Sequence, residues 1–274
     1  MHWILLRGLT REHGHWGSFP ERLREVFPDH QFHVVDLPGT GVRYRDESPA
    51  NIAAIREQVS GQVSHIPGPF SILALSMGGM VALDWAQHAL EGQIQNLVLI
   101  NTSSGFSAPW QRMRLGVWPR VLRLLCRREL FDRERDILRL TSNREVPLSL
   151  AKQWYSIQRQ RPVHPRNALN QLTAAARYKP RHKRPMPDAL LLASRGDRIV
   201  HWRCSAALEE RWQWTMKLHP DAGHDLPLDD AEWVIEQIRN WLPRQPWLLD
   251  ATVLSGQSFR FEPPKLPLNK ERSR

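Results

Sequence analysis

At 274 residues, 41% hydrophobic and 24% charged, the chain has the length and apolar content for a buried core with an insertion, which excludes a wholly disordered chain. Its formal net charge of +10 is unevenly distributed along the chain. No apolar run approaches the roughly 18 residues of a membrane-crossing helix, residues 1–9 lack the pattern of a secretory leader, and Cys126 and Cys204 sit in unrelated Arg-rich contexts without disulfide or metal spacing, so a cytoplasmic location is expected.

Parallel strands are predicted at 2–6, 32–35, 70–75, 97–100, 189–193 and 214–218, joined by helices. The first strand runs into Leu6-Arg7-Gly8-Leu9. His13 and His15 follow, but i and i+2 do not share a helix face and no third ligand is near, so they are read as loop residues and no metal is expected. The second strand leads into Asp36-Leu37-Pro38-Gly39-Thr40-Gly41. The third stops at a lone hydroxyl, Ser76, followed by Met77-Gly78-Gly79 and a helix-period segment over 80–90. This strand, turn and helix has the form of a nucleophile elbow, G-x-S-x-G, with Ala74 at the first small position and Gly78 at the second. Small residues are required because strand and helix backbones approach closely at such a corner. Runs of Ala, Gly and Ser also occur as helix-packing contacts, so the flanking elements carry the reading.

Between residues 102 and 186 there are 19 Lys plus Arg against 5 Asp plus Glu, a balance of +14 that leaves −4 for the rest of the chain. Arg112, Arg114, Arg120, Arg123, Arg127 and Arg128 alternate with Leu115, Val117, Val121, Leu122 and Leu125, which predicts an amphipathic helix with a basic outer face. Three readings of that face stand open: a solvated surface, a dock for an acidic partner, or a contact with an anionic membrane. Nucleic acid is disfavoured because no recognition motif accompanies the charge.

A nucleophilic serine needs a base, and the base needs an acid to orient it. Past the strand at 189–193, Asp197 lies in Ser-Arg-Gly-Asp, where an ordinary turn aspartate is the alternative. Past the strand at 214–218, His224 lies in Ala-Gly-His-Asp, one of 12 histidines. The expected organisation is a core formed by 1–104 and 187–242, an inserted basic helical cap at 105–186, and a polar C-terminal tail at 243–274 that lacks periodicity and is expected to be partly disordered.

The order Ser, Asp, His, with the elbow, the 36–41 loop and the strand ending at Asn101, resembles the alpha/beta-hydrolase superfamily over residues 3–242. That resemblance implies an α/β fold with a mostly parallel six-stranded sheet flanked by helices and an inserted cap, here without the N-terminal antiparallel hairpin of many relatives. It implies Ser76, Asp197 and His224 as catalytic residues, backbone N–H groups of Met77 and Leu9 as the oxyanion hole, and no cofactor. Arg7 stands where histidine is commoner and would put a cation near the pocket entrance. In triad order, size and helical cap the chain also resembles pimeloyl-carrier-protein methyl esterases. This implies a carboxylesterase acting on a small or carrier-linked acyl ester, with an acidic carrier protein as partner. Arg123, Arg127 and Arg128 are the candidate partner-binding residues. Serine at the elbow disfavours dehalogenases and epoxide hydrolases, whereas a triad-using lyase or C–C hydrolase stays open. So does a non-catalytic partner-binding protein, which the departures at Ala74 and Arg7 would suit.

Overall fold

The structure is a computed structural model that describes residues 1–242. The tail at 243–274 lies outside the described residues. Six strands form one sheet in the order β2-β1-β3-β4-β5-β6, every neighbouring pair parallel. They are β1 (His2–Leu6), β2 (Gln31–Val35), β3 (Phe70–Leu75), β4 (Ile94–Ile100), β5 (Leu190–Ser194) and β6 (Thr215–His219). The sheet is thus wholly rather than mostly parallel. Each strand boundary falls within three residues of its expected position.

Strands covered on both faces read as unbroken apolar runs. β3 and β5 are buried at every position, whereas the edge strands β2 and β6 each carry exposed residues. The sequence differences among strands therefore record their places in the sheet. Register pairs Ala74 with Leu6 on one side and Leu99 on the other, so β1, β3 and β4 end side by side. Parallel strands joined by crossovers deliver all their outgoing loops to one edge.

Around the sheet lie α1 (Phe19–Val26), α2 (Ile52–Gln62), α3 (Met77–His88), α9 (Arg203–Trp212), α10 (Leu226–Asp229) and α11 (Ala231–Trp241). The helix expected over 80–90 begins three residues earlier, immediately after Ser76. Met77 to Trp85 are all buried, which clamps this helix against the sheet. Asn51 caps α2 by accepting a hydrogen bond from the Ala54 N–H at 2.8 Å.

Residues 105–186 hold α4 (Pro109–Arg112), α5 (Trp118–Cys126), α6 (Leu130–Thr141), α7 (Leu148–Gln160) and α8 (Pro165–Arg177). Leu138, Ala151 and Trp154 form a small apolar cluster between α6 and α7. The single basic helix expected from Arg112 onward is broken. Met113 and Arg114 are extended, residues 115–117 form a 3₁₀ turn, and Pro119 opens α5. Proline suits a first helical turn and not a helix interior, which is the local reason for the break. None of the side chains described in α5 is buried: Leu122 is 58% exposed and Trp118 45%, so apolar as well as basic residues face outward.

Candidate active site

Ser76 sits between β3 and α3 with φ 58° and ψ −120°, a conformation that residues other than glycine rarely adopt. Such strain costs about 1–3 kcal/mol and persists only where surrounding structure holds it. Here the Ser76 N–H donates to Ile100 O at 2.8 Å, and Thr102 Oγ1 donates to Ser76 O at 2.8 Å. Gly78 faces the backbone of β1: a Cβ there would lie 2.5 Å from Arg7 O and 2.6 Å from Leu6 O. Ala74, by contrast, sits fully buried within the apolar core, so its position admits a methyl group.

His224 and Asp197 come from the loops after β6 and β5. His224 Nε2 lies 2.9 Å from Ser76 Oγ, and His224 Nδ1 lies 2.7 Å from Asp197 Oδ2. A carboxylate only accepts, so Nδ1 carries the proton and Nε2 is left to accept from the serine hydroxyl. The other Asp197 oxygen accepts from the N–H groups of Ile199 at 2.7 Å and Val200 at 3.0 Å. Asp197 is 1% and His224 7% exposed, so the pair works in a region of low dielectric. Burial opposes charging of His224, but the Asp197 carboxylate, through its charge and hydrogen bond, and then Asp225 outweigh it. The His224 pKa is consequently raised above the ordinary histidine value, with Arg7 pulling the other way.

Two asparagines with no motif of their own in the sequence hold these loops. Asn101, at φ 44°, accepts from Ser194 N at 3.0 Å and donates to His224 O at 2.9 Å, joining the ends of β4 and β5 to the histidine loop. Asn143, just past α6, donates to Gly196 O at 2.9 Å and to Asp221 O at 2.7 Å. The only sequence signal at Asn101 is its place directly after a strand.

The loop after β1 passes close to the serine: a Cβ on Gly8 would lie 3.0 Å from Ser76 Cβ and 3.4 Å from its Oγ. Leu9 follows, and Gln171 of α8 fixes the chain beyond it by accepting from Thr10 N at 2.8 Å. Met77 N–H is one of the first-turn donors of α3. Among the described residues neither the Leu9 nor the Met77 N–H donates a hydrogen bond.

Arg7 is not a cation at a pocket entrance. It is 3% exposed and makes a two-pronged ion pair with Asp225, at 3.1 Å and 2.6 Å, with its guanidinium 4.8 Å from the Trp16 ring centre. The expectation failed because the neutralising partner lies 218 residues away in sequence. The same loop is tied to the inserted helices: Arg11 pairs with Glu134 of α6 at 2.6 Å, and Arg161 after α7 pairs with Glu12 through both carboxylate oxygens. His13 donates from its backbone N to Asp36 Oδ1 and approaches Oδ2 through Nδ1, both at 2.7 Å, which holds the 36–41 loop. Asp36 Oδ2 also accepts from Val42 N at 2.9 Å, and a Cβ on Gly41, itself at φ 54°, would fall 1.9 Å from that oxygen. The aspartate and the glycine of this loop thus require each other. His15 packs edge-on against Trp154 and is buried.

All three candidate partner-binding arginines, Arg123, Arg127 and Arg128, are exposed, and Arg127 is also engaged by Asp136 at 2.9 Å. Nearby, Trp110, Arg114, Arg120, Arg198, His201 and Arg203 line a groove of ≈ 420 Å³. Arg114 donates to Asp197 O at 2.6 Å, so this groove adjoins the aspartate loop.

A profile of the Alpha/beta hydrolase family matches residues 4–237. Among curated relatives, the pimeloyl-[acyl-carrier protein] methyl ester esterase of Nitrosomonas europaea is 32% identical over 116 residues, which is 42% of this chain and 40% of that protein. That of Vibrio vulnificus is 32% identical over 119 residues, 43% of each chain. The chain therefore matches about two fifths of the length of these relatives. The esterase EaEST from Exiguobacterium antarcticum superposes with a TM-score of 0.71 at 15% identity, covering 89% of this chain and 92% of that one. An alpha/beta hydrolase fold protein from Chitinophaga pinensis gives 0.69 at 15%, covering 89% and 90%. At such identities these two likenesses speak to fold alone.

Proposed function

Because the chain belongs to the alpha/beta hydrolase family, we propose that it is a carboxylic ester hydrolase working through a serine acyl-enzyme. The observation that carries this reading is the relay from Ser76 Oγ through both nitrogens of His224 to Asp197, at 2.9 Å and 2.7 Å, on a strained strand-to-helix corner. His224 Nε2 takes the hydroxyl proton as Ser76 Oγ attacks the acyl carbonyl. The carbonyl oxygen gains charge and accepts hydrogen bonds from the N–H groups of Met77 and Leu9. Asp197 stabilises the imidazolium, which returns its proton to the departing alcohol. Water, deprotonated by the same histidine, then releases the acid and restores Ser76. Every proton in this cycle moves between protein groups, substrate and water.

The substrate class we assign is an acyl ester carried on an acidic carrier protein. Two relatives named for that substrate support it, as do the cationic 102–186 segment, with Arg123 and Arg128 exposed, and the groove lined by Arg114, Arg120, Arg198 and Arg203. Opposite charge raises encounter rates more than it tightens the final complex. No helix among the described residues is long and apolar enough to cross a membrane. A cytoplasmic setting belongs to the same proposal and suits the two free thiols, Cys126 and Cys204.

The test is hydrolysis of a carrier-linked methyl ester alongside a small p-nitrophenyl ester. Wild type is expected to cleave both. Reversing Arg123, Arg127 and Arg128 to Glu should lower kcat/KM on the carrier-linked ester by about tenfold or more while sparing the small one. Equal loss on both substrates, or loss on neither, would show that these arginines do not dock a carrier, and inactivity of wild type on every ester would show that the protein is not an esterase.

A further inference from the structure

The mechanism above leaves a buried charged pair beside its base unexplained. Arg7 and Asp225 are each 3% exposed at the side chain, and both guanidinium ends grip the carboxylate. A pair so deeply desolvated is weak evidence for stability, since apolar residues of similar size often serve as well. Its location suggests another use. Arg7 directly precedes Gly8, which packs on Ser76, and its own carbonyl is the atom against which Gly78 is pressed. Asp225 directly follows His224, and its N–H donates to Thr141 O at the end of α6 at 2.9 Å. One ion pair therefore spans the loop offering the Leu9 N–H and the loop carrying the base.

We propose that the Arg7–Asp225 pair positions His224 against Ser76 and balances the charge beside that imidazole. The proposal rests on the serine-hydrolase reading and goes beyond it, because neither residue touches a reacting atom. The charged groups acting on His224 are Asp197 from the β5 loop, Asp225 from its own loop and Arg7 from the β1 loop. Asp225 favours the imidazolium and Arg7 disfavours it, so the intact pair leaves Asp197 as the dominant partner.

Arg7→Met leaves Asp225 uncompensated beside the imidazole, so His224 should hold its proton to higher pH and the acid limb of kcat/KM should move up by on the order of one pH unit. Asp225→Asn leaves Arg7 uncompensated, and the limb should move down by a similar amount. The double variant R7M/D225N should return the limb close to its wild-type position. Arg7→Lys keeps the charge but loses the two-pronged grip; it should lower kcat at an unchanged limb. The same displacements are read without turnover from the imidazole resonance of His224, assigned by its loss in His224→Gln, in a pH titration by NMR. Should Arg7→Met fail to fold, Asp225→Asn and the double variant carry the comparison. Opposite displacements that cancel in the double variant support the proposal; no displacement, or displacements of the same sign, overturn it. The titration stands whether or not Ser76 is the nucleophile, whereas turnover surviving in Ser76→Ala would overturn the underlying reading and leave the titration intact.

Discussion

Asp197→Asn is expected to lower kcat on a small ester by about 10⁴-fold while the protein remains folded. The amide is isosteric, and its oxygen still accepts from the N–H groups of Ile199 and Val200, now at 2.7 Å and 3.0 Å. What changes is the face toward His224. An amide NH₂ there donates to Nδ1, so the imidazole proton moves to Nε2 and the nitrogen 2.9 Å from Ser76 Oγ no longer accepts. The negative charge that stabilises the imidazolium is lost as well. The pH profile supplies a second signature. The base works as neutral imidazole, and the His224 pKa is raised, so the acid limb of wild type should lie above the ordinary histidine value. Without the Asp197 charge, burial is less opposed, and the limb of the residual activity should fall. A loss smaller than about tenfold would show that Asp197 is a turn residue after all.

Gly78→Ala is expected to destabilise the protein by about 1–3 kcal/mol and to remove most activity. The added methyl would meet Arg7 O and Leu6 O at 2.5 Å and 2.6 Å. Both are backbone atoms: Leu6 ends β1, which is paired on both sides by β2 and β3, and Arg7 directly follows it. A flexible side chain could rotate away, but a paired strand moves only with its neighbours. Relief must then come from α3, which shifts Ser76 relative to His224, and misplacement of a reacting group by about 1 Å costs on the order of 10²-fold in rate. Gly116→Ala is the matched control, since nothing lies within 4 Å of its added Cβ. Thermal unfolding of the two variants checks the claim: a large drop in Tm for Gly78→Ala and little change for Gly116→Ala.

What could be read from sequence and what could not divides along sequence separation. The elbow was legible because strand, corner and helix are contiguous: Phe70–Leu75 is unbroken apolar chain, and Ser76 with Gly78 marks the turn. That Asp197 and His224 share one edge of the sheet was legible because each follows an apolar strand by a few residues, and parallel strands send their loops to a common edge. Their 2.7 Å contact could be expected only through that topology. The burial of Arg7 has no local signature, because the partner that neutralises it is a distant aspartate. The loop-holding roles of Asn101 and Asn143 were hidden for the same reason, since all their acceptors lie elsewhere in the chain. Charge alternation does not reveal the breaks in the basic segment at Met113 and Pro119, where local backbone preference overrides periodicity.

An activated Ser76 should be labelled covalently by a fluorophosphonate, read by intact mass and peptide mapping. One adduct per chain is expected, on Ser76, absent in Ser76→Ala and strongly slowed in His224→Gln. Folded wild type that stays unlabelled, or an adduct that persists in Ser76→Ala, would contradict it.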